Sequence, residues 1–184
     1  ALIASVIAYA ATVHHYKEDQ RNNFRAARSK LPHALSYLVG YTKDCAQIHA
    51  HKYRAAMNRN SISAHFPPKT PSLPQDAIDI FVECIRYSEP NIGNSLAKIL
   101  EELQVIDARI NLTDQTTSDN YGEKSCLKYI ASTYFKINNL FDFARDEGDF
   151  PENKDPTTAE LILIIEFPMK IRGVFTNEDV EPQS

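Results

Sequence analysis

A chain of 184 residues suits one domain, or one domain with an anchor, and is long enough to bury a hydrophobic core. Only five residues are glycine, which favours helix and leaves little material for the glycine-rich loops that bind phosphates. Residues 1–60 carry nine basic and three acidic residues, whereas residues 61–184 carry eleven and twenty-one, so the acidic remainder argues against a nucleic-acid partner.

The first element is an apolar run from Ala1 to Val13, which is followed by basic residues at Lys17, Arg21, Arg25, Arg28 and Lys30. Thirteen residues are too few to span a bilayer, which needs about 20. We therefore interpret residues 1–16 as the C-terminal part of a truncated transmembrane helix and residues 17–30 as a basic juxtamembrane helix. A secretory signal and a buried core helix are the alternatives. The positive-inside rule then predicts a single-pass protein of the inner membrane with a cytoplasmic C-terminal domain.

Residues 31–176 are predicted to form the helical domain. Leu31-Pro32 indicates a kink or a restart, because proline disfavours helical geometry at the residue before it. A helical stripe follows from Leu31 to Ala56, at spacings of four and three. Residues 60–74 contain four prolines and are expected to be an extended connector. A second helix is predicted from Gln75 to Ser88.

The third helix has the clearest pattern, an apolar seam that steps by four and three from Ile92 to Ile110. A polar loop is expected over residues 114–123, and a fourth helix follows it with a seam from Leu127 to Ala144. Residues 161–167 are predicted to be a buried helix, with a strand as the alternative, because short apolar runs are ambiguous. Residues 177–184 are a polar tail. The pattern predicts an all-α fold, an antiparallel bundle of four to five helices.

One segment resembles a known group of proteins. Residues 24–36, Phe-Arg-Ala-Ala-Arg-Ser-Lys-Leu-Pro-His-Ala-Leu-Ser, come directly after an apolar run, and residues 103–109 of the third helix are similar in character. This arrangement resembles uncharacterised bacterial or phage proteins that have one N-terminal membrane helix and a helical cytoplasmic domain. The resemblance covers about the first third of the chain and one helix. It implies topology only, since no activity is attached to that group.

Few residues point to chemistry. The three cysteines, Cys45, Cys84 and Cys126, are far apart and odd in number, which indicates isolated thiols rather than a disulfide framework. Cys45 and His49 share a helical face and are weak candidates for a metal site or a thiol–imidazole pair, but zinc needs three or four ligands. We expect the acids of the third helix, Glu101, Glu102 and Asp107, to be solvated, and the aromatic residues between Tyr129 and Phe143 to pack in the core. No catalytic residue and no cofactor are predicted.

These observations favour a membrane-tethered helical interaction or scaffold protein that acts through protein contacts, and an enzyme is the less favoured class. Partners would be the membrane, through residues 1–16, and a second protein or a second copy. Self-association would use the Leu31–Ala56 stripe. The first alternative is a metal-dependent enzyme or sensor that uses the six histidines of the first 65 residues. The second is a small-molecule-binding bundle with an aromatic pocket.

Overall fold

The computed structural model describes residues 2–57, 69–112, 120–152 and 154–175 and shows helices and no strand in those ranges. The all-α class is thereby confirmed, and the helices pack as a bundle. The helices are α1 (Leu2–Met57), α2 (Gln75–Tyr87), α3 (Pro90–Leu112), α4 (Asn120–Asn139), α5 (Phe141–Ala144) and α6 (Thr158–Glu166).

The first helix is the longest element of the fold. It has 56 residues and includes Pro32 in its interior, so the restart expected at Leu31-Pro32 is wrong. At 1.5 Å per residue it is about 84 Å long. From Leu2 onward, a single continuous helix therefore includes the three predicted segments, residues 1–16, 17–30 and 31–57.

The predicted membrane anchor is wrong. None of the helices in the described residues is long and apolar enough to cross a membrane. The apolar run of residues 2–13 lies within α1. His14, His15 and Lys17 follow it within the same helix. The same finding contradicts two further predictions: the membrane as a partner, and a single-pass location in the inner membrane.

The hydrophobic core is built around the C-terminal half of α1. Leu31, Leu35 and Leu38 are fully buried there, and the half packs mainly against α2 and α4. The Leu31–Ala56 stripe is therefore used inside the chain, and self-association through it is wrong. The seam of α3 is confirmed, since its members from Leu96 to Ile110 are buried. These are Leu96, Ile99, Leu103, Ile106 and Ile110.

Helices α2 and α3 meet at a tight corner formed by residues 87–90. Ser88 ends α2, and its backbone N–H donates to the Cys84 carbonyl. Gly93 allows close approach here, because a Cβ at this position would lie 2.9 Å from Ser88 Oγ and 3.3 Å from the Ile85 carbonyl oxygen. The corner is thereby held beside the middle of α1.

The last elements return to the bundle. Residues 161–166 lie in α6, so the strand alternative is wrong for them, and Phe167 follows the helix. The expected burial of the whole run is wrong, because Ile165 is buried but Leu163 is 53% exposed. Helix α6 begins with a capping box, in which Thr157 and Glu160 satisfy each other's backbone N–H groups. Residues 120–123 belong to α4 and not to the expected loop, whose residues 114–119 lie outside the described residues. Residues 60–68 of the connector and the tail 177–184 also lie outside them.

Candidate interaction surface

The core stripe of α1 continues beyond the bundle. Within the bundle it runs through Ala27, Leu31 and Leu38, which are buried. Towards the N-terminus the same face continues at spacings of three and four, which keep side chains on one side of a helix. Its members are Tyr9, Val13, Tyr16, Gln20 and Phe24. We call Tyr9, Val13, Tyr16 and Gln20 the free stripe.

The free stripe has large apolar side chains in solvent. Tyr9 is 74% exposed and Tyr16 is 69% exposed, whereas Val13 and Gln20 are half-buried. The opposite face carries smaller or charged groups such as Ala11 and Glu18, and also Ile7, which is 64% exposed. An apolar stripe that continues an internal packing face is typical of a helix surface that another helix covers.

A groove begins where the free stripe ends. One wall is α1 from Lys17 to Arg28, the other is the α2–α3 corner with Tyr87, and Phe143 contributes to the floor. The groove encloses about 540 Å³. It is lined by Lys17, Gln20, Arg21, Phe24, Arg25, Arg28, Tyr87, Ser88, Glu89, Pro90, Ile92 and Phe143.

Aromatic contacts hold the floor of the groove in place. The ring of Phe143 lies 6.4 Å from that of Phe24 and 5.0 Å from that of Phe150, measured between centroids. Arg28 is fixed above the same ring at 4.3 Å. Its Nε donates to the Phe143 carbonyl at 2.7 Å, and its Nη2 lies 2.7 Å from Asp146 Oδ1. Ring packing and hydrogen bonds thus position the same side chains in the floor.

The charge of the groove is one-sided. Four cations line it, Lys17, Arg21, Arg25 and Arg28, against one acid, Glu89. Arg28 is neutralised by Asp146, and the other three basic side chains are exposed. Low-dielectric walls strengthen such a field, so the groove attracts anions.

Cys45 is buried in the core, and its surroundings favour the protonated, unreactive thiol. Burial raises the pKa of the Cys45 thiol to about 12. The Tyr41 hydroxyl beside it donates to Asp107 Oδ1 at 3.0 Å, and burial raises the pKa of Tyr41 above its ordinary value as well. Since the thiolate is the nucleophile and the metal ligand, this site disfavours both roles.

His49 forms a buried pair with Glu123. Its Nδ1 lies 2.6 Å from Glu123 Oε2, and the two side chains are 1% and 2% exposed. If the carboxyl group is ionised it can only accept, and the imidazole then donates from Nδ1; the direction follows the tautomer of the ring. The structure thus gives Cys45 and His49 separate partners, and within the described ranges no three His, Cys, Asp or Glu side chains cluster to hold a metal.

The remaining candidates have structural surroundings. Cys84 is buried with its pKa raised to about 12, mainly by burial, and burial also raises the pKa of Cys126. Of the acids expected in solvent, Glu101 is exposed, but Glu102 accepts from Lys136 Nζ at 2.7 Å and Asp107 accepts from Tyr41. Among the aromatic residues, Tyr134 and Phe143 are buried, whereas Tyr129, Phe135 and Phe141 are half-buried.

The sequence interpretation missed two features. The groove joins residues about 120 positions apart, so no local pattern announces it. The His49–Glu123 pair had a signal: Glu123 lies four residues before Leu127 and seven before Ile130, which places it on the α4 seam. Because the polar composition of residues 114–123 predicts a loop, the sequence pattern does not extend the seam back to Glu123.

Comparison with known proteins adds no family to these observations. The chain matches no family model, no curated protein and no solved structure.

Proposed function

We propose that the chain is a helical interaction protein, in which an antiparallel bundle serves as a scaffold for the N-terminal half of α1. That half binds a helix of another protein along the free stripe. The function is contact with a partner rather than chemistry in the core.

The observation that carries this proposal is the continuity of one helical face. From Ala27 onward the face packs on α2 and α4, and before Phe24 it carries Tyr9, Val13 and Tyr16 with the same spacing. Recognition of a helix by a helix uses anchors at this spacing. A partner helix on the free stripe would extend the packing that α2 and α4 already provide.

The energetics favour a covered stripe. Most helical stability in proteins comes from packing of an apolar face rather than from the helix propensity of the residues. A buried tyrosine removes roughly 150–250 Å² from water, and each Å² of apolar area contributes about 25 cal/mol. Covering Tyr9 and Tyr16 would therefore stabilise both the contact and the helix that presents it.

The two alternative functions receive less support from the same residues. The thiol of Cys45 and the imidazole of His49 are sealed in the core with other partners. The interior between the helices is filled by large side chains such as Phe81, Leu96 and Leu127, each fully buried.

Photo-crosslinking in the cells that make the protein tests the proposal. A photoreactive phenylalanine analogue replaces Tyr9 or Tyr16 in the full chain. We expect each variant to give the same discrete adduct with one protein, because both positions would lie under one partner helix. Mass spectrometry of the adduct identifies the partner and its contact segment.

Ala11 and Glu18 are the matched control positions, since they are exposed on the opposite face of the same helix. They should give little or no adduct. Equal adducts from both faces, or no adduct from any position, would contradict the proposal. An adduct with a second copy of this chain would identify self-association along the free stripe as the contact instead.

A further inference from the structure

We propose that the groove between residues 17–28 of α1 and the α2–α3 corner binds a small amphipathic anion. The ligand class is an aromatic or acyl body that carries one carboxylate or phosphate. The groove adjoins the free stripe and shares Gln20 with it.

The size and the shape of the groove suit a small molecule. Its volume of about 540 Å³ falls within the roughly 300–1,000 Å³ of typical ligand sites. Apolar side chains line both walls and the floor: Phe24 on α1, Tyr87 and Ile92 at the α2–α3 corner, and Phe143 in the floor. An aromatic ring or a short acyl chain would lie between these walls.

The polar part of the groove selects the charge of the ligand. Lys17, Arg21 and Arg25 lie along one wall and are exposed, so their charged ends can turn to a bound group. Glu89 is the acid that opposes them. Arginine presents a planar fork that matches carboxylate and phosphate oxygens, so Arg21 and Arg25 are the residues we expect to bind the anionic group.

The fixed side chains make the site preorganised. Arg28 is already engaged by Asp146 and by the Phe143 carbonyl, so it holds the floor rather than the ligand. Phe143 is packed between Phe24 and Phe150. Binding would therefore order only the outer basic side chains, which limits the entropy lost.

Fluorescence titration of the full chain with 8-anilinonaphthalene-1-sulfonate, an aromatic anion, tests the site. We expect one saturable site on the folded protein. Dodecanoate should displace the probe, because it combines an acyl body with a carboxylate. Dodecyltrimethylammonium has a similar tail with the opposite charge, and inorganic phosphate has the charge without the body. Neither should displace the probe at the same concentration.

The double variant R21E/R25E should weaken probe binding by at least about tenfold, since loss of a single charge-assisted hydrogen bond already removes about a decade. The variant K98E/R172E is the matched control, because it makes the same change in net charge at two exposed positions outside the groove. It should bind as the parent does. Circular dichroism confirms that both variants are folded.

Three results would overturn the proposal. These are no saturable probe site on the folded chain, equal displacement by the anionic and the cationic detergent, and equal weakening in the two double variants. Each outcome is independent of whether the free stripe binds a protein partner, since no partner is present in the titration.

Discussion

The two halves of α1 have one periodicity and two environments. From Ala27 to Tyr53 the apolar stripe is buried against α2 and α4, and it includes the sealed His49–Glu123 pair. Before Phe24 the same face carries Tyr9 and Tyr16 in solvent. Spacing decides which side chains share a face, but packing partners decide whether that face is core. The difference locates the candidate interaction surface.

Loss of the buried pair should have the largest effect on stability. His49→Ala removes one partner of the buried His49–Glu123 pair and leaves a cavity in the core, and loss of one partner of such a pair typically destabilises by about 3–5 kcal/mol. We expect a marked fall in the free energy of unfolding, measured by urea denaturation. A change below about 1 kcal/mol would show that the pair contributes little to the packing of α1 against α4.

The double variant His49→Leu/Glu123→Leu sharpens this result. Replacement of both partners by apolar residues is often close to neutral, whereas removal of one is not. The double variant should therefore be more stable than His49→Ala. If the double variant is less stable than His49→Ala, the interaction between His49 and Glu123 stabilises the fold by more than the cost of burying the two groups.

A matched pair of truncations compares the halves directly. Leu38→Ala removes a fully buried side chain and should destabilise by about 2–5 kcal/mol. Val13→Ala truncates a side chain on the same face in the N-terminal half of α1. It should change the free energy of unfolding by less than about 0.5 kcal/mol. Urea denaturation of the two variants measures both values. Comparable losses would mean that the stripe is covered within the chain along its whole length.

Pro32 lies near the boundary between the halves. A proline inside a helix lacks the N–H that would donate to the carbonyl four residues earlier. Pro32→Ala restores a donor to the Arg28 carbonyl and should raise the free energy of unfolding by about 1–2 kcal/mol. Hydrogen exchange should show slower amides over residues 24–32. Unchanged exchange there would indicate that the proline does not weaken the junction.

Alkaline pH should lower the free energy of unfolding through Cys45, which is buried in the C-terminal half of α1. Burial in the folded chain raises the pKa of the Cys45 thiol from its ordinary value of 9.0 to about 12. Between these values the unfolded chain binds fewer protons, so the free energy of unfolding falls as pH rises, by about 1.4 kcal/mol per pH unit for each such group. Urea midpoints at pH 8 and pH 10.5 should show the fall. The Cys45→Ala variant should have a shallower slope, and an equal slope would exclude the thiol as a cause.

The helical class was predictable because apolar residues recur at three and four along most of the chain. The seam of α3 from Leu96 to Ile110 is an example, since every member is buried as expected. The prediction of a membrane location failed, because it was inferred from the apolar composition of one segment. The apolar run before Val13 suggested a membrane anchor, but it is only the first part of a long helix that soon becomes charged.

The candidate surface could be predicted only in part. The free stripe is present in the spacing of Tyr9, Val13 and Tyr16, but its exposure is not. The groove was not accessible to sequence reasoning, because Arg28 and Phe143 are 115 residues apart and meet only in the folded chain.

The sequence by itself determined the helices, because backbone hydrogen bonds and apolar periodicity act over a few residues. It also determined the charge contrast between the first third and the remainder. Only the tertiary structure decided which part of the α1 stripe is core, since burial depends on where α2 and α4 end along it. The His49–Glu123 pair and the basic groove arise in the same way, from side chains that distant helices bring within contact.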